Sequence, residues 1–473
     1  MFRPPAARGM GTLDRSFFQT KVPLKAARVV DNKLISSIRQ KLVQSNDLLR
    51  DLRCHIIRPD PDLDRAKLGL RCFLLRPELQ ATGTSAPAHQ TDGQRGNIVW
   101  PHSSVVADLV ERRMISIIPY TLNLDYAFWT YQDIVSAIIP AGSQDELPSG
   151  FTSVGHIAHF NLREQWQPYK HLIAQILLDK NSNLQTVINK IDDVGEESEF
   201  RTFRYEVLAG PDDLNVVVSN ANCTFAFDYS KVYWNPRLHT EHHRLVSTFQ
   251  EGEAVCDVMA GIGPFAVPAG KQKVFVWAND LNPDSYSSLQ DAIRRNKVGA
   301  FVTPFNVDGR HFIRDATSQL LHSCPKFVEV PEKSRRHAAE ERSIKTYTQP
   351  KTFQHYVMNL PGSALTFLPS FIGLYAQTGC LNLLPSGSSM PLIHVYCFGR
   401  KILPGDDSGS TYNQICEEIS RQLGFEMKCG ECDDGNVSVF EVRDVAPKKS
   451  MFCASFRLPK EVAFRQGLDG GDF

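Results

Sequence analysis

Residues 255–283, VCDVMAGIGPFAVPAGKQKVFVWANDLNP, set a glycine turn after one apolar segment and an acid at the close of the next. Residues 254–258 are short, apolar and β-prone apart from Asp257. Gly261 and Gly263 follow at once, where the chain must turn tightly and let a ligand approach its backbone. Residues 274–278 form a second expected strand that runs into Asp280, 17 residues beyond Gly263. In a doubly wound sheet, an acid at that point accepts hydrogen bonds from the paired hydroxyls of a ribose. The spacing of Gly261, Gly263 and Ala266 also fits a dinucleotide fingerprint. Asp257 tips the choice, because a carboxylate just before the turn repels a pyrophosphate and suits the ammonium group of S-adenosylmethionine. The expectation is an α/β fold with a methyltransferase turn.

Downstream segments extend the same pocket. Residues 301–312, FVTPFNVDGRHF, read as a third strand followed by Asp308 and Gly309. A polar strand end there could hydrogen-bond an adenine amino group while glycine leaves room for the ring. Residues 356–358 run into Asn359-Leu360-Pro361, an amide and a rigid turn at the carboxyl end of the sheet, where open α/β folds bind ligands. The Asn359 carbonyl can accept from an N–H of the target and hold the nitrogen lone pair towards the methyl group.

Five segments together, YWNPRLHTEHHRL (233–245), DVMAGIGPF (257–265), NDLNP (279–283), VDG (307–309) and VMNLP (357–361), resemble the archaeal and eukaryotic tRNA (guanine-37-N1)-methyltransferase family. The resemblance is tightest over residues 200–361. It implies a class I Rossmann-type catalytic domain with two smaller α+β amino-terminal domains, methylation of guanine N1 beside the anticodon, and S-adenosylmethionine as donor with no metal. Guanine N1 carries a proton at neutral pH, so a base must remove it while a cation stabilises the charge growing on O6. By resemblance Glu241 is that base, a role that typically contributes about 10²–10⁴-fold. Arg201 is the O6 partner, with Arg204 three residues on as the alternative. Tyr233 stacks on the flipped guanine or lines the methionine end of the cofactor. The cofactor contacts implied are His242 (with His243 beside it as the alternative), Asp257, Gly261, Gly263, Asp280 and Leu281, then Asp308, Gly309, Asn359 and Pro361. Arg237 is read as a phosphate contact outside the immediate site.

Composition fits such an enzyme. The 473 residues are 42% hydrophobic, enough for two or three cores, and no apolar run approaches a membrane span. Net charge is zero, yet residues 1–80 hold 16 Lys/Arg against 8 Asp/Glu, a difference of +8 that suits a tRNA-gripping module. Eleven cysteines without framework spacing point to a reducing compartment, and 429–432 is a lone C-x-x-C with no second pair to complete a zinc site.

Punctuation divides the chain into residues 1–110, a basic accessory domain; 111–228, a middle α+β domain; and 229–473, the methyltransferase domain. Residues 82–97 read as a polar surface insertion, 140–149 as a second break, and 328–345 as a charged loop between the third and fourth strands of the catalytic sheet. A fifth strand at 392–398, a helix at 412–423 and an antiparallel pair at 437–442 and 451–456 close the domain. The basic start, acid-free until Asp14, allows a presequence, and the family resemblance implies mitochondrial matrix, nucleus and cytoplasm together. The expected partner is tRNA carrying G37, bound by a monomer. Two other classes fit less of the pattern: an amino-methyltransferase acting on protein glutamine, which has no need of an O6 stabiliser such as Arg201, or on another RNA position; and a non-catalytic RNA-binding protein.

Overall fold

The computed structural model describes residues 2–76, 103–140, 147–148, 150–191, 200, 202–331, 344–376, 389–402, 408–431 and 435–466. Its contacts divide the chain into two compact units. One comprises Met1–Gly150, Leu162–Asn183 and Leu208–Gly210; the other comprises Phe151–Asn161, Leu184–Val207 and Pro211–Phe473.

The first unit is built on an antiparallel sheet of β1 (Thr20–Val29), β2 (Ile57–Pro59), β3 (Arg71–Leu74) and β4 (Ile115–Leu124), in the order β2-β3-β1-β4. Ala27, Val29 and Phe73 from the sheet pack on Ile38 and Leu42 of the helix Ile35–Gln44, and on Val106 and Leu109 of the helix Ser104–Glu111. The boundary expected at residue 110 falls inside this unit. β4 pairs with β1 from Thr20↔Leu124 to Val29↔Ile115, so continuous backbone hydrogen bonding carries the chain past that point. Part of the basic excess is internally paired: Arg28 and Arg65 reach the buried Asp60 at 2.7 and 3.0 Å, and Arg15 reaches Asp179 at 2.8 Å.

The second unit begins with β5 (Thr152–Val154), β6 (Ile157–Phe160), β7 (Thr186–Lys190) and most of β8 (Tyr205–Ala209), a four-stranded sheet in that order, followed by a hairpin of β9 (Asn215–Asn220) and β10 (Cys223–Asp228). Its main body contains β11 (Ala254–Asp257), β12 (Phe275–Asn279), β13 (Val302–Phe305), β14 (Phe327–Pro331), β15 (Ile344–Thr348), β16 (His355–Met358), β17 (Leu392–Arg400), β18 (Lys428–Cys429), β19 (Asn436–Ala446) and β20 (Lys449–Arg457). Eight of these form one sheet in the order β13-β12-β11-β16-β17-β20-β19-β18. The first five are parallel and β20 runs antiparallel to β17.

Both faces of this sheet are covered, which is why β11 is apolar on consecutive residues rather than on alternate ones. Val255 and Val276 pack with Ala266 and Leu289, from the helices Ala266–Lys271 and Pro283–Asn296. Cys256 and Tyr356 face Ile313 and Ile419, from the helices Gly309–His322 and Ser408–Leu423. Strand order reverses between β11 and β16, the topological switch at which open α/β sheets take ligands.

One expected loop resolves differently. The flanks of the charged stretch 328–345 pair with each other as β14 and β15, which lie outside the main sheet, and residues 332–343 lie outside the described residues. So does the polar segment 82–97, and so does Arg201. The carboxyl-terminal hairpin is longer than the sequence suggested and carries two register shifts, at Glu441/Arg443 and Asp444/Ala446.

Candidate active site

The glycine turn sits at the carboxyl end of β11. Gly261 and Gly263 both have positive φ, +56° and +91°. A Cβ at Gly263 would lie 2.6 Å from Leu289 Cδ1, so glycine is needed there for the helix Pro283–Asn296 to close against the turn. A Cβ at Gly261 would meet no atom within 4 Å. The turn is pinned from the neighbouring strand: the Gly261 N–H donates to Asp280 Oδ2 at 2.8 Å, and the Asn282 N–H donates to Oδ1 at 3.0 Å. Burial pushes the Asp280 carboxyl above the usual carboxylate range, opposed by these two backbone donors and by Ser285. Leu281 follows, 45% exposed.

Asp257 is 1% exposed, and neither carboxylate oxygen has a hydrogen-bond partner among the described residues. Burial, with the charge of Asp280 adding to it, drives its carboxyl well above the usual range. A buried acid with two unsatisfied oxygens is costly unless a donor or a cation meets it. Asp308 caps the helix Gly309–His322 by accepting from the Arg310 N–H at 2.8 Å. A Cβ at Gly309 would lie 3.0 Å from both Phe367 and Val258. β16 delivers Asn359 beside this end of β11, since Asp257 is in register with Val357. Pro361 then starts the turn in which the Leu360 carbonyl accepts from Ser363 and Ala364.

Glu241 and His242 lie on the helix His239–Val246 and are both buried, 3% and 4% exposed, while His243 faces solvent. Arg244 holds Glu241 through two bonds, Nε to Oε2 at 2.6 Å and Nη2 to Oε1 at 2.7 Å. The Tyr396 hydroxyl on β17 donates to Oε1 at 2.6 Å. His242 packs edge-on against Phe265, just past the glycine turn, with ring centroids 4.8 Å apart, and its Nδ1 lies 3.1 Å from Asn220 Nδ2. Burial, with His239 adding to it, pushes its pKa down to about 3, so it is neutral at physiological pH. Tyr233 is 48% exposed ahead of this helix. Arg204 closes the entry to β8, its carbonyl accepting from the Ile191 N–H at 3.0 Å. Among the described residues no group of three His, Cys, Asp or Glu side chains is placed to hold a metal ion, and no helix is long and apolar enough to cross a membrane.

Residues 131–213 match the TYW2 N-terminal domain, and residues 216–329 match the TRM5/TYW2 methyltransferase domain. A Neurospora crassa protein named tRNA (guanine(37)-N(1))-methyltransferase is 48% identical over 472 residues, covering 98% of this chain and 95% of that protein. The chain belongs to the tRNA (guanine(37)-N(1))-methyltransferase family. The Schizosaccharomyces pombe member is 46% identical, covering 80% of this chain and 82% of that protein. The fold agrees with the solved structure of Trm5b from Pyrococcus abyssi, with a TM-score of 0.54 at 21% identity over 92% of this chain and 99% of that one.

Sequence reasoning passed over three residues in this family member's site. Asn279 is buried and ties three strand ends together: its amide donates to the Val258 and Val307 carbonyls at 3.0 and 2.9 Å and accepts from the Val307 N–H at 2.9 Å. An amide closing an otherwise apolar strand was the available signal. Arg244 and Tyr396 were the other two. Arg244 is three residues from Glu241 on a helix, a spacing that brings side chains together. Tyr396 is 155 positions away within an apolar strand, and nothing local marks it.

Proposed function

We propose that this chain methylates N1 of guanosine 37 in tRNA, with S-adenosylmethionine as the methyl donor, and thereby supports reading-frame maintenance and formation of the wybutosine precursor. Family membership supports the reaction; the observation that carries the cofactor is the partnerless carboxylate of Asp257 at the glycine turn. Two buried oxygens without donors fit an ammonium group, and Asp280 stands one strand over, where a ribose would present its hydroxyls. When bound, S-adenosylmethionine supplies an electrophilic methyl group on a sulfonium centre. Leu281, Asp308 and Gly309 border the adenosine end, while His242 and Pro361 line the remaining wall.

The chain's own residues then handle the base. Tyr233 offers an exposed aromatic face to a flipped guanine. Glu241 takes the N1 proton, Arg201 donates to O6 as charge gathers there, and Asn359 accepts from the base and orients it. The same reading has the enzyme acting as a monomer in the mitochondrial matrix, nucleus and cytoplasm. The test is incubation with labelled S-adenosylmethionine and a tRNA transcript carrying G37, beside its G37→A counterpart and the Glu241→Ala enzyme. Label confined to wild-type enzyme with G37 tRNA, recovered as 1-methylguanosine, is the expected result. Equal labelling of both tRNAs would move the target to another position.

A further inference from the structure

The three donors on Glu241 are unevenly shared. Among the described residues, Oε1 accepts from Tyr396 and from Arg244 Nη2, whereas Oε2 accepts only from Arg244 Nε. Each carboxylate oxygen offers two in-plane lone pairs, so Oε1 is saturated and Oε2 keeps one free. The donors are also fixed. Arg244 lies on the same helix, its guanidinium 4.3 Å over the Phe440 ring of β19, and Tyr396 is fully buried on β17. The register that pairs Met358 with Val395 puts Tyr396 one step on, level with Asn359. The hydroxyl thus ties the helix carrying Glu241 to the strand next to the one that delivers Asn359.

We propose that Tyr396 and Arg244 are positioning residues that immobilise Glu241 and leave its Oε2 as the atom that takes the guanine N1 proton. This rests on the assignment of Glu241 as the base. In the step, the N1–H bond breaks, the proton joins Oε2, and the electron pair stays on N1. Oε1 becomes the carbonyl oxygen of the neutral acid and still accepts from both of its donors, so the cage needs no rearrangement as the charge leaves. Burial holds the Tyr396 phenol well above its ordinary pKa, and Glu241 raises that of Arg244, so both remain donors across the working pH range.

The experiment is single-turnover methylation of G37 tRNA by Tyr396→Phe, Glu241→Gln and the double variant, with S-adenosylmethionine and tRNA affinities measured by calorimetry. Tyr396→Phe removes one donor and keeps the ring. The rate constant should fall about 10-fold with both affinities unchanged. In the Glu241→Gln background the same change should cost nothing further, because the carboxylate it positions is gone. Arg244→Lys, at a side chain 34% exposed, replaces a two-pronged donor by a point charge and should lower the rate similarly. Equal losses from Tyr396→Phe in both backgrounds would reduce the tyrosine to packing and overturn the inference. So would wild-type rates in both Tyr396→Phe and Arg244→Lys. Full activity in Glu241→Gln would instead overturn the base assignment beneath it.

Discussion

Two buried carboxylates in the catalytic unit, Asp257 at the glycine turn and Glu241 on the helix His239–Val246, are 1% and 3% exposed, yet their surroundings are opposite. Among the described residues, Asp257 has no donor on either oxygen, while Glu241 has three. A carboxylate held by three fixed donors is part of the fold, its charge stabilised whether or not a ligand is present. A partnerless one is an expense that folding alone does not offset, and a cationic ligand can. On the proposed roles, the contrast separates a residue that would work on a proton from one that would recognise a charge.

The largest effect should come from Glu241. Glu241→Gln keeps volume and removes the base, so kcat should drop by about 10²–10⁴-fold while S-adenosylmethionine binding is preserved. Rapid-quench kinetics and calorimetry on the same preparation would check both halves. An affinity loss as large as the rate loss would erase the distinction between the two acids.

Asp257→Asn should show the reverse pattern. Loss of charge opposite an ammonium group should weaken S-adenosylmethionine binding by about 10- to 100-fold. The ligand-free protein should at the same time become more stable above the ordinary carboxyl pKa. The folded pKa of Asp257 is raised from 3.8, so over the window above 3.8 the folded state binds more protons than the unfolded one. Its contribution to stability is therefore lost as pH rises through the folded value. Melting curves should show Asp257→Asn pulling ahead of wild type as pH increases; a constant gap would mean that the acid finds a partner in solution.

His242 supplies the opposite slope in the same site. Its pKa falls from 6.5 to about 3, so between those values the unfolded state binds more protons and stability declines as pH drops. One such group contributes a slope of up to about 1.4 kcal/mol per pH unit. His242→Gln should flatten the acid side of the stability profile, whereas substitution of the exposed His243 should leave it unchanged.

The sequence yielded one half of this comparison more readily than the other. Gly261, Gly263, Asp257 and Asp280 were legible because a strand, a turn and a second strand fall within a single short stretch, and the turn's geometry depends on residue types that punctuate any sequence. The cage around Glu241 was not, because Tyr396 reaches it from 155 residues away out of a strand whose pattern says only that it is buried. The boundary expected at residue 110 falls within one compact unit for the same reason. Composition changes there, but β4 pairs with β1 from nearly a hundred positions earlier, and backbone pairing leaves no compositional trace. Asn279 lies between these cases, visible as an amide at a strand end and interpretable only once three carbonyl and amide partners converge on it.

The smallest predicted effect tests whether the turn itself belongs to the fold or to the ligand. Gly263 needs glycine twice over, for its φ of +91° and for a Cβ position 2.6 Å from Leu289 Cδ1, so Gly263→Ala should destabilise the ligand-free protein by about 1–3 kcal/mol. Gly261, at φ +56° with nothing within 4 Å of an added Cβ, should lose only about 1 kcal/mol from backbone strain. The open space beside Gly261 lies next to the N–H that donates to Asp280, where the proposed cofactor would approach the turn. A methyl group there should therefore reduce S-adenosylmethionine affinity more than it reduces stability, the reverse of Gly263→Ala. Denaturant titration and calorimetry on the pair would separate them. If both lost stability and affinity in the same proportion, the turn would act as one rigid element, and the division between packing at Gly263 and ligand approach at Gly261 would not hold.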